Sequence, residues 1–291
     1  MRFGIVLALS VATCAMARNV PTDFEQIVIY GDSFSDTGNV RKMTFGLYPP
    51  YPYYKGRFSN GPVWVDYMSN DLSVKVQNNA YGGAITDNNE AYPARLNLTI
   101  PGFIQQVKNI DVDTSLRTLY LVEIGANDIF DTIFHGDVSN ATYVNSRIEH
   151  ITDNIIEGLG LLKTVNSAED VMVFNMSALD KFPYVPQKDK PYTAQLILDY
   201  NKLLDRKLSA VTDLRISIFD LYSWFDQAIA NASKLGYTDT NTTCLPPTFV
   251  PIPCKDPGSH FFWDDAHFET KAHKSFSNTI LSALKDQYKI A

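Results

Sequence analysis

Four short stretches of this sequence carry side chains that could attack a carbonyl carbon and steady the charge that results. Gly31-Asp32-Ser33-Phe34-Ser35-Asp36-Thr37-Gly38-Asn39 offers a serine hydroxyl, a poor nucleophile until a base within hydrogen-bond reach takes its proton. Phe262-Trp263-Asp264-Asp265-Ala266-His267 offers that base. In a local turn Asp264 can reach the imidazole Nδ1–H of His267, fix its tautomer and leave Nε2 free for the serine proton. Asp265 competes for the orienting role with a less apt spacing. Asn78-Asn79-Ala80-Tyr81-Gly82-Gly83-Ala84 holds adjacent glycines, which permit close backbone approach or positive φ and can aim an N–H at an oxyanion. Gly125-Ala126-Asn127-Asp128 adds an amide whose NH₂ group can point into the same crevice. Taken singly, each has an ordinary explanation: a turn or N-cap serine, a Gly-Gly turn, a capping Asn, a surface Asp-His pair. Together they supply nucleophile, base, orienter and oxyanion donors.

The elements that must position them read directly. Residues 26–30, 119–124, 171–174 and 216–219 are apolar, β-branched and bounded by turn residues, as strands buried on both faces are. Residues 74–76 are a weaker candidate. Asn145 to Thr164 carries Ile148, Ile151, Ile155, Leu159 and Leu162 at helical spacing, and Tyr192–Leu208 and Lys271–Tyr288 also read as helices. Strands alternating with helices predict a parallel sheet covered on both faces. Ser33, the Gly-Gly turn and Asn127 each follow a predicted strand, at the carboxyl ends where open α/β sheets bind ligands. A helix beginning at Ser33 would also turn its free N–H groups toward an anion there. No repeat or polar linker divides residues 18–291, so one α/β domain is expected.

The joint pattern Gly31-Asp32-Ser33, Gly83, Gly125-x-Asn127-Asp128 and Asp264-x-x-His267 resembles the GDSL, or SGNH-hydrolase, esterases and lipases. The likeness is greatest to the subgroup opening with Gly-Asp-Ser-x-Ser-Asp-Thr-Gly-Asn. Gly56-Arg57-Phe58-Ser59-Asn60-Gly61, Val65-Asp66 and Phe262-Trp263-Asp264 extend the resemblance over residues 26–275. It implies a three-layer α/β/α sandwich with a mainly parallel, flavodoxin-like sheet. It also implies Ser33 as nucleophile, His267 as base and Asp264 as orienter. The oxyanion hole would be the Ser33 N–H, the Gly83 N–H and the Asn127 side chain. Matching Asn78 to the Asn that opens the family's second block favours Gly83 over Gly82. Phe268 departs from the pattern, standing where many members have Pro, and leaves the shape of that loop open. No Gly-x-Ser-x-Gly elbow, His-Glu-x-x-His or phosphate-binding loop occurs. Asp111 to Ser115 imitates a calcium loop, but Leu116 occupies the required Gly position. No metal and no cofactor is expected.

Residues 1–17 read as a secretory signal: Arg2, an apolar run from Phe3 to Ala12, and the cleavage site Ala15-Met16-Ala17. Residues 18–291 would be the mature domain. Cleavage removes Cys14 and leaves Cys244 and Cys254, which in an oxidising compartment are expected to pair. Sequons at Asn97, Asn140, Asn231 and Asn241 are candidate glycosylation sites; Asn175 follows an apolar run and reads as too buried. The 32 acids outnumber the 25 Lys and Arg, a formal charge of −7; such a surface would repel phosphates, which makes nucleic acid and anionic membrane poor default partners. No second apolar stretch could cross a bilayer, so the expectation is a secreted monomer without an integral membrane segment.

Tyr48-Pro49-Pro50-Tyr51-Pro52-Tyr53-Tyr54 places four tyrosines where a sugar ring or acyl chain could rest. Packing of this loop onto its own domain is the plainer expectation. Among ester substrates, short acyl groups such as acetate on carbohydrate come first, and lipase or phospholipase action on longer acyl chains second. A catalytically silent carbohydrate-binding protein on the same fold is the reading from another class.

Overall fold

Strands without polar interruptions settle where both faces are covered. In the computed structural model, which describes residues 24–89, 99–248 and 251–290, β1 (Gln26–Gly31), β3 (Thr118–Glu123) and β4 (Asp170–Phe174) are buried at every position. β2 (Lys75–Asn78) and β5 (Arg215–Phe219) are less buried and take the edges. All four pairings are parallel, in the order β2-β1-β3-β4-β5. This is the flavodoxin-like doubly wound order, whose switch point lies between β1 and β3. The secretory segment and Asn97 lie outside the described residues.

Eight helices are present among the described residues: α1 (Asn39–Met43), α2 (Trp64–Asp71), α3 (Phe103–Asn109), α4 (Ala126–His135), α5 (Ala141–Asn166), α6 (Lys190–Ala210), α7 (Leu221–Ala230) and α8 (Thr270–Tyr288). Helix α2 packs on α8, while α5 packs on α3 and α6. The three long helices lie where the apolar spacing puts them. The shorter α2, α3 and α7 were not expected, because seven to ten residues give too few turns to establish a stripe.

No helix begins directly at Ser33. Ser35 N–H and Asp36 N–H both donate to the Asp32 carbonyl, forming a single turn, and α1 starts only at Asn39. The Asp36 carboxylate is the reason. Its oxygens accept the N–H groups of Gly38, Asn39 and Val40, so the chain is capped and redirected before a helix can propagate from Ser33.

A two-stranded parallel sheet, β6 (Asp239–Thr243) with β7 (His260–Phe262), precedes the last helix. Cys244 and Cys254 are disulfide-bonded, with Cα atoms 4.8 Å apart. Cys244 N–H donates to the Phe262 carbonyl and Leu245 N–H to that of Trp263, so the Pro-rich loop is fastened beside the strand leading to Asp264. Among the described residues, no helix is long and apolar enough to cross a membrane.

Two glycines of α5 test its packing. A Cβ on Gly158 would stand 2.2 Å from Phe103 Cε1, whereas one on Gly160 meets nothing within 4 Å. Overpacking costs about 1–3 kcal/mol, against a helix-propensity gain from Gly to Ala of up to ~1 kcal/mol. Calorimetry should therefore show a lower melting midpoint for Gly158→Ala and a higher one for Gly160→Ala. Equal shifts would contradict the α3–α5 contact.

Candidate active site

Ser33 follows the carboxyl end of β1, and its side chain is almost buried, at 9% exposure. Gly31 before it is gripped by one amide: its N–H donates to Gln106 Oε1 at 3.1 Å, and Gln106 Nε2 donates to its carbonyl at 2.9 Å. His267 arrives from far along the chain, in a tight reversal between Phe262 and Phe268, which form an antiparallel bridge. Trp263 N–H donates to the His267 carbonyl at 2.9 Å, closing that turn. Phe268 is 1% exposed and wedged among Phe34, Trp224 and His273. The residue that departs from the family pattern thus anchors the loop by burying a ring where Pro would have stiffened the backbone.

The reversal brings His267 Nε2 to 2.8 Å from Ser33 Oγ. His267 Nδ1 stands 2.8 and 2.9 Å from the two oxygens of Asp264, not of Asp265. Asp264 Oδ1 also accepts the Ala266 N–H at 2.9 Å, and Oδ2 accepts the Tyr53 hydroxyl at 2.6 Å. Burial alone would raise the Asp264 pKa, but the His267 charge and these donors outweigh it and hold the carboxyl below its usual range. For His267, burial pulls the pKa down, while Asp264, with Asp32 and Asp265 assisting, carries it above the ordinary value. Tyr53 packs its ring on Phe58 and Trp263, as the plainer expectation for the tyrosine loop had it, but its hydroxyl bond to Asp264 was not foreseen.

The Gly-Gly turn has a definite polarity. Gly82 N–H is occupied, donating to Asp36 Oδ2 at 2.9 Å, and a Cβ there would lie 2.0 Å from Phe58 Cε2. Gly83 has φ +84°, is exposed, and its N–H makes no hydrogen bond among the described residues. Gly83 is thus the member of the pair whose N–H is available to a ligand. Asn127 is the second residue of α4, after an N-cap at Gly125 with φ 110°, so it is not the cap. One hydrogen of its Nδ2 goes to the Ala84 carbonyl at 2.8 Å and fixes the amide; the geometry leaves the other unused.

The remaining polar residues of these stretches build the walls. Asn78 Nδ2 donates to the Ser35 carbonyl and Thr37 Oγ1, and Asn39 Nδ2 donates back to the carbonyls of Asn78 and Ala80. Arg57 holds Asp66 through Nε and Nη2 at 3.0 and 2.6 Å, while Asp66 accepts the Val63 N–H at the start of α2. Ser59 Oγ donates to the Phe268 carbonyl and Asn60 Oδ1 accepts the Thr270 N–H, tying this segment to the histidine loop. Phe58 lies against the imidazole, with centroids 5.3 Å apart. Of the sequons, Asn140 and Asn241 are exposed. Asn231 donates its Nδ2 to the Gln227 carbonyl, and both amide atoms of Asn175 are hydrogen-bonded.

A parallel sheet with a serine after β1, an amide after β3 and an Asp-His turn before the last helix defines a class of hydrolase. Residues 27–280 match the sequence model of the GDSL-like lipase/acylhydrolase family, and the chain belongs to that family. It is a GDSL-type esterase/lipase hydrolase whose substrates are esters. It is 27% identical over 264 residues to a phosphatidylcholine-sterol acyltransferase of Aeromonas hydrophila, spanning 85% of this chain and 73% of that protein. A thermolabile hemolysin of Vibrio parahaemolyticus is 22% identical over 282 residues, 90% of this chain and 64% of the relative. An Arabidopsis thaliana GDSL esterase/lipase is 23% identical over 327 residues, covering 94% and 93%. A solved GDSL-like lipase from Parabacteroides merdae shares the fold, with a TM-score of 0.52 at 16% identity over 91% of this chain and 97% of that one.

The electrostatics around the imidazole can be read in solution. A ¹⁵N NMR titration should place the His267 pKa above the usual ~6.5. Tyr53→Phe should raise it further, because Asp264, losing a donor that draws off its charge, would hold the imidazolium more strongly. A downward movement would refute the Tyr53–Asp264 link.

Proposed function

We propose that this chain is a secreted serine carboxylic ester hydrolase in which Ser33, His267 and Asp264 form the catalytic triad. The observation that carries the reading is the unbroken hydrogen-bonded relay from Ser33 Oγ through the imidazole to a buried carboxylate. Ser33 Oγ attacks the ester carbonyl carbon as Nε2 takes the hydroxyl proton, and the carbonyl π electrons move onto oxygen. The Ser33 N–H, Gly83 N–H and the free Nδ2 hydrogen of Asn127 receive that oxyanion. Collapse breaks the bond to the leaving alcohol, which departs with the proton from Nε2. Water repeats the sequence on the acyl-enzyme and releases the carboxylic acid. Export is supported by the Cys244–Cys254 disulfide and the exposed sequons.

For substrate, the balance moves from short acyl groups toward acyl esters of lipids. Phe45, Leu47 and Tyr51 are 94%, 76% and 89% exposed on the loop that also carries Tyr53. A loop meant only to pack on its own domain would bury those side chains. The Aeromonas relative, named a phosphatidylcholine-sterol acyltransferase, supports the same class. A silent binding protein would have no use for a serine in contact with an oriented imidazole.

Ser33 should be labelled stoichiometrically by an organophosphonate, and Ser33→Ala should abolish both labelling and turnover. Asn127→Ala should lower kcat about 10²–10³-fold; near-full activity would remove Asn127 from the oxyanion hole. Across soluble aryl esters the rate should climb with acyl length beyond about eight carbons. A maximum at acetate would restore the short-acyl assignment.

A further inference from the structure

The segment from Thr37 to Val65 contains Arg41, Lys42, Lys55 and Arg57 and no acidic residue, in a chain whose net charge is −7. Arg57 is committed to Asp66, while Lys42 and Lys55 are exposed. The most exposed large apolar side chains of this segment, Phe45, Leu47 and Tyr51, project from the same stretch. Phe45 is the telling member. It holds a left-handed φ of 53°, a conformation in which a residue with a Cβ is disfavoured and Gly or Asn is usual. Its ring is 94% exposed, so no packing compensates. Neither backbone preference nor the core explains a phenylalanine there.

The loop is also continuous with the active site. The Tyr48 ring meets Phe58, which lies against His267, and the Tyr53 hydroxyl reaches Asp264. The backbone holds the basic and apolar residues together: Phe45 N–H donates to the Lys42 carbonyl and Gly46 N–H to that of Arg41. Gly56, beside Lys55, sits against the Arg41 side chain.

We propose that Phe45, Leu47 and Tyr51, flanked by Lys42 and Lys55, form a docking surface for aggregated phospholipid, seating the enzyme with its active site at the lipid–water boundary. This rests on the lipid-ester reading of the same site. Apolar and aromatic tips enter the boundary between headgroup and acyl chain, and lysines beside them meet lipid phosphates. The charge pattern selects phosphate-bearing lipid over neutral polysaccharide.

The test uses vesicles of phosphatidylcholine alone and with 30 mol% phosphatidylglycerol, at an order-of-magnitude charge density (~30%) that engages lysines. Binding is measured by co-sedimentation in a Ser33→Ala background, which removes turnover. Phe45→Asn/Leu47→Ser/Tyr51→Ser should reduce partitioning at least about tenfold; Asn suits the left-handed position, so folding is not endangered. Lys42→Glu/Lys55→Glu should remove the added binding to anionic vesicles. Organophosphonate labelling of the Ser33-containing forms counts correctly folded sites in every variant. Turnover of dihexanoyl phosphatidylcholine below its micellar concentration reads the lipid-ester assignment separately: no hydrolysis there overturns that assignment whatever the vesicles show. Partitioning of the triple variant within twofold of its parent overturns the docking surface. So would parental binding to insoluble acetylated xylan instead of vesicles, or a dimer abolished by the triple substitution.

Discussion

The site depends on holding one imidazole, nearly buried, between a hydroxyl and a carboxylate that the chain order keeps far apart. Ser33 and His267 are 234 residues apart in sequence, and their contact is 2.8 Å. Hydrogen bonds of this kind lose strength steeply with misalignment, so the histidine reversal must be rigid on that scale. Three restraints meet on it. Phe268 is buried behind the histidine, Ser59 and Asn60 fasten the backbone just after it, and Tyr53 fixes the far oxygen of Asp264. Two of these restraints come from the segment between β1 and α2. That segment can reach the reversal because helices α2 and α8, which flank the two stretches, pack on each other.

Beneath the serine lies a second electrostatic arrangement. Asp32 and Glu123 are both fully enclosed, and burial followed by each other's charge drives the Asp32 pKa well above its ordinary range. Glu123 is raised to about 7, chiefly by burial, although Ser35 donates to it at 2.8 Å. Charging either of two enclosed carboxyls makes charging the other harder, so each opposes ionisation of its neighbour. The Asp32 side of this arrangement acts on His267 and helps to raise the imidazole's pKa. Asp36 has a different task. Its oxygens collect four backbone N–H groups, including that of Gly82, and this ordering leaves Gly83 as the unoccupied donor of the turn.

The sheet and the meeting of Ser33, His267 and Asp264 were legible in the sequence, and the supporting contacts were not. Runs such as Val171–Phe174 must be strands buried on both faces because they have no polar face to turn outward. Asp264 and His267 meet across one turn, so spacing alone revealed them. Tyr53 and Asp264 lie 211 residues apart, and no local pattern links a tyrosine in a Pro-rich loop to that aspartate. For a related reason, the helix considered at Ser33 does not form. Dipole reasoning saw a strand followed by small polar residues, but Asp36 competes for the same N–H groups by bonding them from its side chain. The family match favoured Gly83 over Gly82, but the physical reason, Asp36 occupying the Gly82 N–H, was not visible in the sequence.

The division of labour explains why the chemistry reads more clearly than the substrate. Ser33, Asn127 and the Asp-His turn are fixed by the sheet and the last helix, whose geometry follows from the burial of long apolar runs. The loop between α1 and α2 answers to a weaker set of constraints. Around Phe45 and Leu47 the polar atoms are satisfied by short-range contacts such as Thr44 with Tyr48, and the outermost side chains are exposed. Residues free of packing demands can vary with the surface they meet, whereas Tyr53 and Phe58 in the same loop cannot move without disturbing His267. One segment therefore has an outer edge open to adaptation and an inner edge bound to the geometry of His267 and Asp264. A change in what the outer edge touches has only a few residues to cross before it reaches the Asp264 carboxylate.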